Sequence, residues 1–389
     1  MNSLELFSGA GGLASGLQLA GFSHSAFIEF NKDACLTLRS NFKDVDVIET
    51  DIRNIDYSNF DNIDIIAGGP PCQPFSLGGK AKGNNDKRDM FPYAINGIRK
   101  LQPKAFLFEN VKGLLRKSFS SYFNYIILQL TYPDLLKDQN ESWINHLSRL
   151  EKVHTSGGYQ GLKYRVVYRL LNSANYGVPQ KRERVFIVGI REDLEIEWSF
   201  PEETHCEEKL LWDKFVSGEY WDKYEIEKSK REKLSPRKSK IIKRLKRKYG
   251  FFEPQKKPWV TVRQALHDLP HPNDVLNDFC DHVYKDGAKS YPGHTGSYID
   301  EPSKTIKAGA HGVPGGENMV RYENGTVRYF TILETKRIQT FPDDYMIAGS
   351  WTEGMRQLGN AVPVKLSKLL AANLFQVIKK QNKVNSLTV

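Results

Sequence analysis

Three short segments carry side chains whose types and spacing could do chemistry. In GGPPCQPFS, residues 68–76, a single thiol, Cys72, stands among Pro70, Pro71 and Pro74. Proline fixes φ and removes a backbone donor, so this loop cannot continue a sheet, and its stiffness holds one side chain still. In AFLFENV, residues 105–111, Glu109 and Asn110 close an apolar run. A carboxyl group at the end of such a strand is expected to be partly desolvated, which raises its proton affinity and fits it for general-acid work. In VPQKRERVFIVG, residues 178–189, Lys181, Arg182 and Arg184 lead into another apolar run. Alternation along a strand points Arg182 and Arg184 to one side, where a carboxylate, phosphate or carbonyl would be their target. Plainer uses compete with these readings: an inert buried thiol for Cys72, and ion pairing with Glu183 for the arginines.

A fourth segment offers a ligand cradle. LFSGAGGLASG, residues 6–16, follows an apolar run, and glycines at 9, 11 and 12 let a ligand approach the backbone. Glu29 comes twenty residues after Gly9, at the end of the next apolar run, where an adenosine ribose would offer its hydroxyls. The third glycine of the dinucleotide fingerprint is Ala14 here, which counts against NAD or FAD. Asp51 could bond an adenine edge or simply cap a turn.

The elements that must position these groups are legible as periodicity. Runs at 3–7, 25–30, 45–50, 63–69, 105–111, 165–171 and 184–190 read as strands separated by helix-like segments. That alternation predicts an α/β fold with a mostly parallel sheet covered on both faces. The last two runs are too close for a comfortable helical crossover, so an antiparallel strand is expected there. In such a sheet Cys72, Glu109 and the glycine turn all emerge at the carboxyl edge, the usual site of chemistry. After Arg191 periodicity weakens until about 328, which indicates a second, smaller domain. Helical spacing returns at 332–341 and at 362–380, where Leu366, Leu369, Leu370, Leu374, Val377 and Ile378 make one apolar face expected to pack on the first domain.

Composition narrows the class. The 389 residues are 40% hydrophobic and 26% charged, ordinary for a globular chain with a sizeable core. The formal charge of +10 is regional: residues 223–257 hold fifteen Lys and Arg against four Glu. KIIKRLKRKYG, residues 240–250, suits a helix lying along a phosphate backbone, with a solvated charged face as the alternative. Cys35, Cys72, Cys206 and Cys280 form no CxxC pair or Cys/His cluster, so neither a disulfide framework nor a metal site is expected. No apolar run reaches the ~20 residues of a membrane helix and no leader precedes LELF, so the expectation is a cytoplasmic protein without a membrane partner.

Taken together, LFSGAGG, PPCQPFS, FENVKGLL, VPQKRERVFIVG, RIQTFPDDY and QLGNAVP resemble, in order and spacing, the DNA cytosine-5 methyltransferase family of the bacterial restriction-modification type. The resemblance covers residues 3–191 and 329–380. It implies a Rossmann-like S-adenosylmethionine-dependent methyltransferase sheet, a catalytic and cofactor-binding domain at 1–191 completed by 331–389, and a target-recognition domain at 192–330. It implies that Cys72 is the nucleophile adding to C6 of cytosine, Glu109 the acid at N3 and the exocyclic amine, and Arg184 the contact to the base O2 and to Glu109. Phe7, Gly9, Gly12, Leu13, Glu29, Phe30, Asp51, Ile52, Asn360 and Ala361 match positions lining the S-adenosyl-L-methionine pocket. Gln73, Ser76, Lys181 and Arg182 match DNA contacts, and Arg337 a support of the recognition domain. Thr305, in KTIKAGAHGVPGGENM, is a candidate phosphate contact, and SLGGKAKGNNDKRDM, residues 76–90, a closing lid. The partners implied are double-stranded DNA, met by a monomer, and a cognate restriction endonuclease acting on the same site without a stable complex. Two departures stand out: residues 119–163 align with nothing in the pattern, and residue 30 is Phe where Trp is also used.

The chemistry is consistent with that resemblance. C5 of cytosine is too electron-poor to attack a methyl sulfonium; thiolate addition at C6 makes an enamine whose C5 is nucleophilic. Protonation at N3 prevents charge build-up, and the base must leave the duplex to be reached. A transfer-RNA cytosine-5 methyltransferase shares the Pro-Pro-Cys-Gln-Pro-Phe loop but carries little between the two blocks, where this chain inserts about 140 residues. A repressor that has lost catalysis would not need Cys72, Glu109 and the glycine turn intact. A nicotinamide-dependent oxidoreductase leaves the cysteine and arginine segments unexplained.

Overall fold

The computed structural model describes residues 1–71, 89–275, 277–309 and 318–387. The chain divides into two compact units: 1–171, 183–201 and 367–389 form the first, and 172–182 with 202–366 the second.

The first unit is built on a seven-stranded sheet. Its elements run β1 Asn2–Leu6, α1 Gly12–Ala20, β2 Ser23–Glu29, α2 Lys32–Asn41, β3 Asp46–Glu49, β4 Ile65–Gly68, α3 Phe91–Leu101, β5 Ala105–Val111, α4 Ser120–Thr131, α5 Trp143–Ser156, β6 Tyr164–Asn172 and β7 Glu183–Arg191. The strand order is β3-β2-β1-β4-β5-β7-β6. Strands β1 to β5 pair in parallel and β7 runs antiparallel to β5, so the seven apolar runs and the expected antiparallel strand are all present. Continuous burial explains why the central strands read as unbroken apolar runs: Leu4, Leu6, Ile66, Leu107 and Phe108 are all fully buried. The order reverses between β1 and β4, and ligands of such sheets bind in the crevice outside the carboxyl ends at that switch point.

The apolar face of the C-terminal helix, Val364–Leu387, closes this unit. Leu370, Leu374 and Ile378 are at most 1% exposed. Ser367 Oγ donates to the Leu13 carbonyl across 2.9 Å, and Phe375 meets Phe22 edge-on at 5.1 Å. Truncating a side chain such as Leu374 to Ala would cost about 2–5 kcal/mol. By length and hydropathy alone the stretch Trp351–Gln381 qualifies as a membrane-spanning helix, but 56% of its most apolar window is buried within the protein.

The stretch 119–163, which the sequence left without assigned helices, folds as α4 and α5. Ser142 caps α5, accepting from the Asn145 N–H, and the aromatic rings of Tyr122 and Tyr125 pack on Trp143.

The second unit contains β8 His205–Cys206, α6 Glu207–Trp212, α7 Glu219–Lys223, α8 Pro236–Tyr249, β9 Lys257–Pro258, α9 Val262–Leu266, β10 Ser297–Tyr298, β11 Met319–Arg321, β12 Val327–Tyr329, α10 Ile332–Ile338 and α11 Trp351–Asn360. Its main core joins Val262, Ile306, Val320 and Phe330 to Ile338 of α10 and Met355 of α11. Residues 331–366 share that core and belong to the second compact unit. A capping box starts α10: Thr331 Oγ1 accepts from the Glu334 N–H while the Glu334 carboxylate accepts from the Thr331 N–H.

Candidate active site

The glycine turn leaves β1 at Leu6, which pairs in register with Gly68 of β4; Gly68 in turn pairs with Phe108 of β5. The turn, the root of the thiol-bearing loop and Glu109 therefore leave three adjacent strands at one edge. Phe7, Gly9 and Gly11 all adopt positive φ, of 57°, 54° and 76°. For Phe7, whose Cβ is strained in this region, the surrounding fold must impose the conformation.

Glu29, at the end of β2, is held by three backbone donors. The Gly9 N–H donates to its Oε2 at 2.9 Å, and the Phe30 and Asn31 N–H groups to its Oε1 at 3.0 and 2.9 Å. A Cβ built on Gly9 would meet no atom within 4 Å, so the turn borders open space. Phe30 is 68% exposed, an uncovered aromatic face beside the carboxylate. Leu13 and Ile52 are buried below, and Gly12 begins α1 behind a Gly11 cap that lacks any side-chain acceptor. Open space, acid, aromatic plate and uncapped helix start fit an adenosine carrying a charged amino-acid tail. Asp51 does what its plainer reading predicts: it caps the 3₁₀ turn Ile52–Asn54, and the Arg53 guanidinium and N–H hold its carboxyl below the usual carboxylate range.

The other side of the edge is built by β4, β5 and β7. Asn110 Nδ2 donates to the Pro70 carbonyl at 2.9 Å, and this buried bond ties the loop leaving β4 to the end of β5. Glu109 is 8% exposed; its Oε2 lies 3.6 Å from where a Gly69 Cβ would stand. Arg184 of β7 brings Nε to 2.9 Å from Glu109 Oε1, which among the described residues has this charge partner but no hydrogen bond. Across β7, Lys112 pairs with Glu183 at 2.8 Å, so Glu183 does not compete for Arg184. Cys72, Gln73, Ser76 and most of the lid segment fall outside the described residues. Of the other thiols, Cys35 is buried and pushed up to about 12 by desolvation, which leaves it inert.

The second unit holds the remaining predicted positions. Arg182, expected as a DNA contact, is 2% exposed, and its guanidinium donates to the Gly359 carbonyl at 2.9 Å and the Asn360 carbonyl at 3.4 Å. A guanidinium buried among main-chain carbonyls fixes a loop. Within this unit Arg182 thus supports the segment bearing Asn360, which is exposed, and Ala361, which is buried. Two amides missed by the sequence reading complete that support: Gln180 Nε2 donates to Gln339 Oε1 at 2.9 Å, and Gln339 Nε2 bonds the Leu358 carbonyl. Lys181 pairs with Glu301 at 3.4 Å and lies over the Trp259 ring, and Thr305 Oγ1 donates to the Lys181 carbonyl at 2.8 Å. Arg337 bridges Asp268 and Asp343 and so braces its own unit.

A doubly wound sheet that keeps an acid, a glycine turn and a carboxyl–guanidinium pair at the ends of adjacent strands has the architecture of a Rossmann-like, S-adenosylmethionine-dependent methyltransferase. The crystal structure of S. pombe Dnmt2 methyltransferase shares this fold, with a TM-score of 0.58 over 97% of this chain and 99% of that chain at 17% identity.

The sequence narrows the class further. The profile of the C-5 cytosine-specific DNA methylase family matches residues 1–132 and 145–376, and the chain belongs to that family. Type II methyltransferase M.NgoMIV of Neisseria gonorrhoeae is 31% identical over 384 residues, 98% of this chain and 99% of its own length. Type II methyltransferase M.Sau96I of Staphylococcus aureus is 33% identical over 387 residues, 98% of this chain and 77% of its own. The protein is a DNA cytosine-5-methyltransferase whose methyl donor is S-adenosyl-L-methionine. Residues 133–144, the connection after α4 with the first two residues of α5, are the internal stretch that the family profile leaves unmatched.

Proposed function

We propose that Cys72, Glu109 and Arg184 carry out methyl transfer to C5 of a cytosine extruded from duplex DNA. The observation that supports this most is the root of the Cys72 loop tied by Asn110 beside a buried Glu109 whose Oε1 lacks a hydrogen bond. The Cys72 thiolate adds to C6. Glu109 places its proton at N3 and accepts from the exocyclic amine, which keeps negative charge from accumulating on the ring. Arg184 holds Glu109 in place and donates to O2 of the base. S-adenosyl-L-methionine supplies an electrophilic methyl group. Phe7, Gly9, Gly12, Leu13, Glu29, Phe30 and Ile52 hold the donor, Glu29 at its ribose and Phe30 against its adenine, with Asp51, Asn360 and Ala361 assigned to the same role. Loss of the C5 proton to water then expels the thiol and restores the aromatic ring.

In this reading residues 192–330 choose the DNA sequence, and Gln73, Ser76, Lys181 and Thr305 serve the DNA. The type II names of the relatives support a place in a restriction-modification system, in which a cytoplasmic monomer protects host DNA from an endonuclease of the same specificity. Bisulfite sequencing of DNA from cells expressing the chain, beside the same cells expressing Cys72→Ser, tests product and residue together: cytosines of one short sequence are protected by the wild type and none by the variant. Equal protection by both would overturn the assignment of Cys72.

A further inference from the structure

The basic stretch of the second unit is a helix with two distinct faces. Ile242 and Leu245 of α8 pack on Leu211 and Trp212, which fixes the helix to its unit. On the other side Arg237, Lys240, Arg244 and Arg247 follow one another at spacings of three, four and three, which places them in one exposed row. None of the four forms an ion pair with a described residue, whereas Lys238, on the packed side, is held by Glu232 and Glu301, and Lys248, at the helix end, by Glu208. The row is left without a carboxylate partner in salt-bridge contact among the described residues.

The helix ends in an unusual way. Gly250 adopts φ 61° and ψ −119°, and the Phe252 N–H donates to the Tyr249 carbonyl at 3.0 Å. These are the marks of a type II′ turn, whose first central position requires φ above zero and hence glycine. The turn presents Phe251 and Phe252, 106% and 78% exposed, directly beyond the cation row. Its exit is tied down as well, since Glu253 pairs with Lys209 of α6 at 2.8 Å. Two adjacent phenylalanines in water, on a hydrogen-bonded turn anchored at both ends, are not accounted for by packing within the chain.

We propose that α8 and its terminal turn form a second DNA-contacting element, in which the cation row follows the phosphates of the duplex and Phe251 and Phe252 wedge against base faces. Charge complementarity chooses this occupant over a protein partner, because the phosphate backbone matches a row of unpaired cations and exposed rings at its end match the stacking surface of bases. The inference rests on duplex DNA being the substrate, so methylation of the cognate duplex by the wild type is measured alongside and reports on that reading separately.

The test is duplex binding by the full-length chain across a salt series. Arg237→Ala, Lys240→Ala, Arg244→Ala and Arg247→Ala combined should weaken binding about tenfold or more and flatten the log–log salt dependence by about 3.6, since each lost phosphate contact removes about 0.9. Phe251→Ala with Phe252→Ala should weaken binding by about tenfold with an unchanged salt slope, and Phe251→Tyr with Phe252→Tyr should restore it. All of these side chains are exposed, so unchanged melting temperatures exclude misfolding as the cause. Wild-type affinity and salt slope in both Ala variants, with the wild type binding and methylating its duplex, would overturn the proposal and leave the element to an acidic protein partner.

Discussion

Asn110 Nδ2 and the Pro70 carbonyl oxygen, 2.9 Å apart and buried, join the end of β5 to the loop that carries Cys72. Because Glu109 is the neighbour of Asn110, a single segment places both this carboxyl group and the root of the Cys72 loop. Asn110→Ala removes the donor, leaves the Pro70 carbonyl without its partner, and should cost about 1–3 kcal/mol of stability. Its larger effect should be on turnover. Single-turnover methylation is expected to slow about a hundredfold with cofactor affinity unchanged, because misplacement of reacting groups by even 1 Å is worth about that much.

Glu109→Gln keeps the shape of the side chain and removes its titrating proton. Loss of a general acid costs about 10²–10⁴-fold in rate, so kcat should fall within that range while DNA binding persists. Arg184→Ala leaves Glu109 buried beside no cation and should be comparably slow, and the double variant should be little worse than either single one. Rate assays of the three variants check this; additive losses would show that the two side chains act independently.

At the donor site, Glu29→Ala removes the acceptor of three backbone N–H groups and, in the proposed pose, the partner of the ribose hydroxyls. Calorimetric titration should show S-adenosyl-L-methionine binding weakened by about 10- to 100-fold, the equivalent of about 1.5–3 kcal/mol for hydrogen bonds to a charged group. Phe30→Ala should weaken it less and Phe30→Trp not at all.

Glu5 of β1 is fully buried with neither carboxyl oxygen hydrogen-bonded, 3.9 Å from His24 Nδ1. Burial pushes the Glu5 carboxyl well above its usual 4.5 and lowers His24 from 6.5 to about 4. Above pH 4.5 the unfolded chain gives up the Glu5 proton that the folded chain keeps, so this group's contribution falls as pH rises. His24 acts oppositely: its contribution is full above pH 6.5 and is lost as pH falls towards 4. Glu5→Gln should therefore melt higher than the wild type by a margin that grows from mildly acidic to mildly alkaline buffer, while the acid-side loss from His24 remains. A constant margin across pH would contradict the buried, protonated state.

Much of this architecture could be read from the chain because its signals are local. The apolar runs of β1, β4, β5 and β7 are buried over most of their length, so hydrophobicity alone marked them, and Glu29, Glu109 and Arg184 all lie within two residues of a strand end. What escaped was set by distant partners. The sequence showed Arg182 as one of three cations, but only the fold brings the carbonyls of Gly359 and Asn360 to it. Gln180 and Gln339 are 159 residues apart and carry no local pattern. The core that Ile338 and Met355 share with Phe330 is likewise a fact of tertiary packing that helical spacing does not encode.

The most direct test of the account replaces the target cytosine by 5-fluorocytosine in a duplex containing the recognised sequence, with S-adenosyl-L-methionine present. Addition at C6 and methylation at C5 can then proceed, but C5 carries fluorine in place of the proton that must leave, so the adduct cannot break down. Mass spectrometry of the trapped protein should find the nucleotide, methylated, on the peptide containing Cys72, and Cys72→Ser should trap nothing. A methylated base released without any adduct, or an adduct on another residue, would contradict nucleophilic addition by Cys72.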